Sequence, residues 1–201
     1  MRVTRLTPDR YRMVPWRNGQ GTTTEIVARP SAPAEFVWRL SIADIPNDGP
    51  FSSFPGFDRT LMLIEGAGLV LRHEGHGEQR LDEPFQPVRF SGDWSTYCSL
   101  QNGATRDLNI ITRRDSARHC ATVLNGVGTH VHESAADTIA LLCLRGAAAG
   151  RADATPFGLN TGETVLVDSE AGSTRTRVEV EARNASMVVV LVDISLVRIE
   201  T

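Results

Sequence analysis

Long apolar runs are missing from this sequence. IALLCL at 139–144 and MVVVLV at 187–192 fall far short of the ~18 residues that a membrane-crossing helix needs. A positive excess is missing too. Twenty-one Lys and Arg stand against 24 Asp and Glu, a formal charge of −3. A nucleic-acid partner asks for a clearly basic face, so neither nucleic acid nor membrane is expected as a partner. Cysteine is scarce. Cys98, Cys120 and Cys143 are odd in number and widely spaced, which fits neither a disulfide framework nor a CxxC zinc site. Cys98 and Cys143 sit among apolar or β-branched residues and read as buried free thiols, with nothing nearby to lower a thiol pKa. The opening MRVTRLTPDRYRMVPW lacks the apolar centre of a signal peptide. Together these features lead us to expect a reduced, cytoplasmic protein.

Helical periodicity is scarce as well, and strand signals take its place. TTTEIVA (22–28), FVWRLSIA (36–43), RTLMLIEG (59–66), GLVLRHEG (68–75), PVRFS (87–91), STYCSL (95–100) and RDLNIITRR (106–114) are short and rich in β-branched residues. TIALLCLRG (138–146), ETVLVDS (163–169), TRTRVEVEA (174–182) and MVVVLVDISLV (187–197) continue the series. Gly, Pro, Asn and Asp punctuate them, an all-β pattern of sandwich or barrel type. TRTRVEVEA alternates so regularly that one of its faces must meet solvent.

A faint internal repeat runs through the chain. RTLMLIEGAGLVLR (59–72) reads like DTIALLCLRGAAAGR (137–151), FSGDWSTYCSL (90–100) like NTGETVLVDSE (160–170), and RDLNIITRR (106–114) like SMVVVLVDISL (186–196). Two copies of one apolar-strand unit predict two tandem cupin-like barrels of jelly-roll type, a bicupin. The expected division is 1–115, a barrel with extra strands and the ligand pocket, and 116–201, a smaller barrel.

VPWRNGQGTTTEIV, Val14 to Val27, is the stretch most suggestive of chemistry. A phosphate-cradling loop needs glycines that open a helix. Here three threonines follow, which are poor helix starters and good strand formers. Gly-Lys-Ser/Thr and a dinucleotide glycine fingerprint are both lacking. The stretch therefore predicts a tight turn at Asn18-Gly19, with Gly21 supplying a second unusual backbone conformation, feeding a strand. Trp16, Arg17, Asn18, Thr23 and Glu25 surround that turn, with Thr23 and Glu25 on one side of the strand.

PWRNGQGTTTEI, with WRLSIADIPNDGPFSSFPGFDRTLMLIEGAGL (38–69) and DLNIITRR (107–114), resembles the HutD family, also called HutD/Ves, over roughly residues 12–115. Gly-Gln-Gly departs from that family's more glycine-rich turn. The resemblance implies a bicupin fold without the usual cupin metal site. It also implies a role in bacterial histidine utilisation, in which a small acid of the pathway is bound and flux is limited. Ves-type members lack that setting.

A catalytic cupin metal would need His-x-His, a nearby Glu and a later His. His130-x-His132 lie on one face of an extended segment, but no histidine follows 132. LRHEGHGE, with His73 and His76, reads as an exposed hairpin tip. No metal or cofactor is expected. A small-molecule site in a barrel mouth or lumen would show itself by polar residues out of place in apolar strands. Arg59 opens RTLMLI, and Asn109 interrupts DLNII. Arg59 is expected to grip a carboxylate through its planar fork. Asn18, Thr23 and Asn109 would add hydrogen bonds, and Trp16 or Trp38 an apolar wall. In WRLS, Arg39 and Ser41 share one face and Trp38 takes the other. Arg59, Asn109 and Arg39 each have a structural alternative: Arg59 bridging Asp107, Asn109 tying down a loop, Arg39 lying on the surface. With no legible Ser-His-Asp or Cys-His pairing, the reading is a binding or regulatory protein for a small carboxylate such as formylglutamate or urocanate, rather than an enzyme. Rival readings are a metal-independent enzyme using Glu25, Asp93 or Asp107 as acid or base, and a stress-related interaction protein. An exposed strand edge would allow a homodimer.

Overall fold

The computed structural model describes residues 1–16, 21–30, 36–170 and 175–198. Nineteen strands and one 3-10 turn, Pro8–Arg10, are formed among them. The strands are β1 (Arg2–Leu6), β2 (Arg12–Pro15), β3 (Thr22–Arg29), β4 (Trp38–Ile45), β5 (Gly49–Pro50), β6 (Phe57–Glu65), β7 (Leu69–His73), β8 (Gly77–Leu81), β9 (Pro87–Ser91) and β10 (Thr96–Leu100). They continue as β11 (Thr105–Arg113), β12 (Ala117–Asn125), β13 (Thr129–Ser134), β14 (Thr138–Arg145), β15 (Ala147–Ala152), β16 (Thr155–Asn160), β17 (Thr164–Asp168), β18 (Thr176–Ala182) and β19 (Val188–Leu196).

Two compact units result. One holds Tyr11–Ala117, the other Met1–Arg10 together with Arg118–Thr201. Each is a pair of antiparallel sheets enclosing its own core, the bicupin arrangement expected from the repeat. The division anticipated between 115 and 116 differs at the N terminus. β1 pairs with β17, Val3 opposite Val167, so the first ten residues complete the sheet of the C-terminal barrel.

The repeat is visible in the strand order. In the N-terminal barrel the sheets run β2-β3-β4-β11-β6-β9 and β5-β10-β7-β8; in the C-terminal barrel they run β12-β19-β14-β17-β1 and β13-β18-β15-β16. Strands β4 and β6 to β11 therefore correspond in turn to β12 and β14 to β19. Two of the three repeat matches fall on corresponding strands. The third, 90–100 against 160–170, covers β9 and β10 but reaches only β17, because the true counterpart of β10 is β18.

Alternation explains the cores. Along β18, Val178 and Val180 are buried while Arg177 is exposed, so one face is wet as its sequence requires. In β6 and β11 nearly every residue is buried, which is why RTLMLI and DLNII read as continuous apolar runs. Leu61, Leu63, Leu69, Leu71 and Cys98 form the N-terminal core. Ile139, Leu141, Cys143, Val178 and Val189 anchor the C-terminal one. All three cysteines are free, with Cys98 and Cys143 buried; burial pushes their thiols up, to about 12 and about 11.

One loop bears on function. FSSFPGF, residues 51–57, leads from β5 into β6 and is tied to the start of β10 and to the β9–β10 turn. Phe51 N donates to Thr96 O at 2.9 Å, and Phe54 N to Gly92 O at 2.8 Å. Gly92 N returns a bond to Phe57 O at 2.8 Å. A Cβ at Gly92 would collide with the Phe54 carbonyl. Gly92→Ala should therefore lower stability by about 1–3 kcal/mol in urea denaturation. Gly158→Ala, where a Cβ meets nothing within 4 Å, should change it by less than about 0.5 kcal/mol.

Candidate functional site

Three cross-strand rows place the polar residues of the N-terminal barrel on the face that lines its core. Ala28, Arg39, Ile111 and Arg59 form one row, Glu25, Ser41, Asn109 and Leu61 the next, and Thr23, Ala43, Asp107 and Leu63 the third. Arg59 is only 6% exposed, and Asp107 is fully buried. A guanidinium and a carboxylate in such surroundings must be answered by partners.

Asn109 answers both. Arg59 Nη2 donates to Asn109 Oδ1 at 2.7 Å, and Asn109 Nδ2 donates to Asp107 Oδ1. Arg59 Nη1 donates to the Ser52 carbonyl at 3.1 Å, so the arginine also holds the 51–57 loop. Aromatic faces surround the remaining charge. The Arg59 guanidinium carbon lies 5.5, 5.3 and 4.8 Å from the ring centres of Phe51, Phe54 and Phe90, within cation–π range. Arg39 approaches Phe54 as well, at 5.2 Å, and Phe36 at 4.8 Å. Two guanidiniums thus share one phenylalanine. Arg39 Nε, Arg59 Nε and Asp107 Oδ2 are buried without a hydrogen-bond partner among the described residues.

The electrostatics follow from burial. Arg59 is lowered to about 10 by desolvation, which Asp107 opposes. Asp107 is raised to about 7, again by desolvation, with Arg59 opposing. Burial also lowers Arg39 and His73. Around neutral pH this part of the barrel interior sets two cations against one carboxyl whose ionisation burial disfavours, a setting that favours an anion.

The expected site residues are only partly assembled. Arg59 and Asn109 are in direct contact, and the alternative bridge to Asp107 runs through Asn109. Trp16 and Thr23 form a separate pair, Trp16 Nε1 donating to Thr23 Oγ1 at 2.8 Å. Thr23 lies two strands from Asp107, about 10 Å away. Trp38 does not wall the site. It faces with Thr112, opposite to Arg39, and its ring carries Arg29 at 5.5 Å. Alternation along β4 sends Trp38 and Arg39 to opposite faces, and Phe51, Phe54 and Phe90 supply the wall instead. Asn18 lies outside the described residues. Gly21 is needed for a reason other than an unusual backbone angle: a Cβ there would meet Asp44 O and the Trp16 ring, both at 2.8 Å. Arg39, expected at the surface, is drawn inward by Phe36 and Phe54.

Other candidates are committed elsewhere. Glu25 pairs with Arg12 at 2.9 Å. Asp93 is held at about 2 by the Gly56 amide, Ser91 and Arg114, too weak a base for neutral pH. His132 Nε2 contacts Asp193 at 2.9 Å. Among the described residues no three His, Cys, Asp or Glu cluster as a metal would require. His73, expected at an exposed hairpin tip, is 4% exposed and bonded to Thr96 and Gln79; Glu74 to Glu78 form the exposed tip. A cleft of about 440 Å³ opens at the far rim of the same barrel, lined by Gly21, Thr22, Ile45, Gly66, Thr105 and Arg106. Thr105 and Ile111 are six residues apart on β11, so this rim is roughly 20 Å along the strand from the Arg59 row.

Asp107 gives a stability prediction with a defined sign. Its folded value, about 7, exceeds the ordinary 3.8, so the folded state holds the proton over that interval. Stability contributed by the protonated form is complete below about pH 4 and is lost as pH rises to about 7. Asp107→Asn should remove this decline in urea-denaturation stability between those values and leave the profile above pH 8 flat.

Relatives agree with this architecture. The chain is 42% identical over 104 residues to Protein Ves of Citrobacter koseri, covering 51% of this chain and 54% of that protein. It is 41% identical over 102 residues to an uncharacterised 21.2 kDa protein from the hutC 3′ region of Pseudomonas putida, covering 50% and 53%. The chain thus spans about half the length of the curated relatives it matches. A conserved protein of unknown function from Pseudomonas aeruginosa PAO1 superposes with a TM-score of 0.90 at 29% identity, covering 97% of this chain and all of that one. HutD from Pseudomonas fluorescens SBW25 superposes at 0.83, also at 29% identity, over 98% and 100%. A cupin 2 conserved barrel protein of Leptotrichia buccalis, 9% identical over 92% of this chain and 96% of that one, shares the fold at 0.56. The HutD family model matches residues 8–188, and the chain belongs to the HutD family.

Proposed function

We propose that this chain is a non-enzymatic bicupin that binds a small carboxylate of histidine catabolism, formylglutamate or urocanate, in its N-terminal barrel, and thereby modulates histidine utilisation in the cytoplasm. The observation that carries this reading is the pair of guanidiniums on Phe54, Arg59 buried and Arg39 half-buried, each with a buried Nε that no group among the described residues accepts from. A planar guanidinium offers parallel N–H donors that match a carboxylate. Arg59 also holds Ser52 O through Nη1. A bound carboxylate can replace that carbonyl without stranding the arginine.

Two relatives support the choice of ligand class. The Pseudomonas fluorescens HutD structure is described for a formate condition, and formate is the smallest carboxylate. The Pseudomonas putida relative is encoded beside hutC, a histidine-utilisation setting. The buried carboxyl of Asp107, close to neutral in its titration, favours the rival reading of an acid–base enzyme; it is separated from Arg59 by Asn109, which suits electrostatic tuning better than proton transfer to a ligand on Arg59.

At about one hundred times its dissociation constant, N-formylglutamate or urocanate should stabilise the protein by about 2.7 kcal/mol. Arg59→Ala and Arg59→Lys should both lose this stabilisation, the second because a lone ammonium lacks the planar fork. Undiminished stabilisation of both variants would remove Arg59 from the site. Both acids should be recovered unchanged after prolonged incubation, and steady conversion would favour the enzyme.

A further inference from the structure

We propose that the N-terminal barrel takes up a proton at Asp107 Oδ2 with each carboxylate that it binds at Arg59, so that Asp107 sets how affinity depends on pH. The inference rests on the reading of Arg59 as the carboxylate seat. It follows from how the charges are connected. Asp107 is fully buried, one oxygen accepts from the Asn109 amide, and Oδ2 has no partner among the described residues. Asn109 Oδ1 in turn accepts from Arg59 Nη2. One side-chain amide therefore joins the carboxylate to the cation that supports its charge.

A bound carboxylate changes that balance. It draws the Arg59 guanidinium to itself and adds a second negative charge beside buried groups. Ionised Asp107 then loses support, and its protonated form is favoured. The proton comes from bulk water and adds to Oδ2, where no existing hydrogen bond must break. Nothing else is made or broken.

The groups around Asp107 leave it alone in the neutral range. Arg59 on β6 stays charged, since even its lowered value is about 10. On β4, Arg39 lies in the Arg59 row, and Asp44 is held by Arg106 at 2.7 Å. Glu65, at the end of β6, also pairs with Arg106, at 2.9 Å. Cys98 of β10, across the core, is raised to about 12. His73 of β7 is lowered by burial from its ordinary 6.5. Glu25 of β3 is paired with Arg12. Asp107 without ligand titrates near 7. Below that value it is already protonated and affinity should be flat. Above it, binding must bring in the proton, and affinity should fall by up to about tenfold per pH unit.

Isothermal calorimetry with sodium formate, which keeps one charge throughout, tests this at pH 6.5, 7.5 and 8.5. Two buffers of different ionisation enthalpy and sodium chloride as the ionic control are needed. The expected result is uptake of close to one proton per formate at pH 8.5, small uptake at pH 6.5, and a dissociation constant that rises with pH. Asp107→Asn should bind formate with a pH-independent constant near the wild-type value at pH 6.5, without proton uptake. His73→Gln should keep the wild-type dependence. Buffer-independent heats and a pH-flat constant in the wild-type protein would overturn the proton coupling and leave the Arg59 reading standing. So would a pH dependence that disappears with His73→Gln; this arm needs no Asp107 variant to fold. Formate heats no larger than those of chloride would overturn both.

Discussion

Everything particular to this molecule depends on a guanidinium that the N-terminal barrel keeps out of water. Arg59 is inside because β6 places it on the core-lining face, and an ion there is tolerated only with partners. Ser52 O, Asn109 and three phenylalanine rings are those partners. The 51–57 loop is therefore a consequence of the arginine as much as its cover: a loop carbonyl faces inward because Nη1 donates to it. Asp107 is buried two rows away and linked through Asn109, so its burial and that of Arg59 are one problem with one solution.

The C-terminal barrel shows what the same topology does without that cation. Matching strand registers equate Leu61, opposite Asn109, with Leu141, opposite Leu191, and Leu63, opposite Asp107, with Cys143, opposite Val189. Continuing along β6 and β14, Arg59 corresponds to Ile139. The polar triplet Arg59, Asn109 and Asp107 is thus replaced by Ile139, Leu191 and Val189, all buried in an apolar core. At these three positions one barrel packs apolar side chains and the other holds charge and an amide. That difference lies in side chains and not in strand order, which is why the proposed carboxylate seat is placed in the N-terminal barrel.

Much of this was legible in the residues. Strands of the β6 and β11 kind announce themselves by continuous β-branched and leucine runs, and Arg59 and Asn109 stand out because those runs tolerate no polar group without cause. Strands β8 and β16 were not legible, since charged or Gly-containing segments such as GEQRL and TPFGLN become strands only through pairing with neighbours. The role of β1 was equally hidden, because RVTRL carries no sign of the distant β17 that it pairs with. The aromatic wall was missed for a related reason. Phe51, Phe54 and Phe90 come from a loop and a strand that only the fold brings around Arg59, while Trp38 was attractive for its size but lies on the wrong face. A signal was available in FSSFPGF, and in the fact that all 21 basic residues are arginine, the cation suited to stacking on rings.

The most direct measurement is a crystal structure of the protein grown with sodium formate. The account predicts formate beside Phe54, with an oxygen within about 3 Å of Arg59 Nε, and Asn109 still joined to Asp107. Formate found only in the cleft beside Thr105 and Arg106, with Arg59 still donating to Ser52 O and nothing on its Nε, would contradict it.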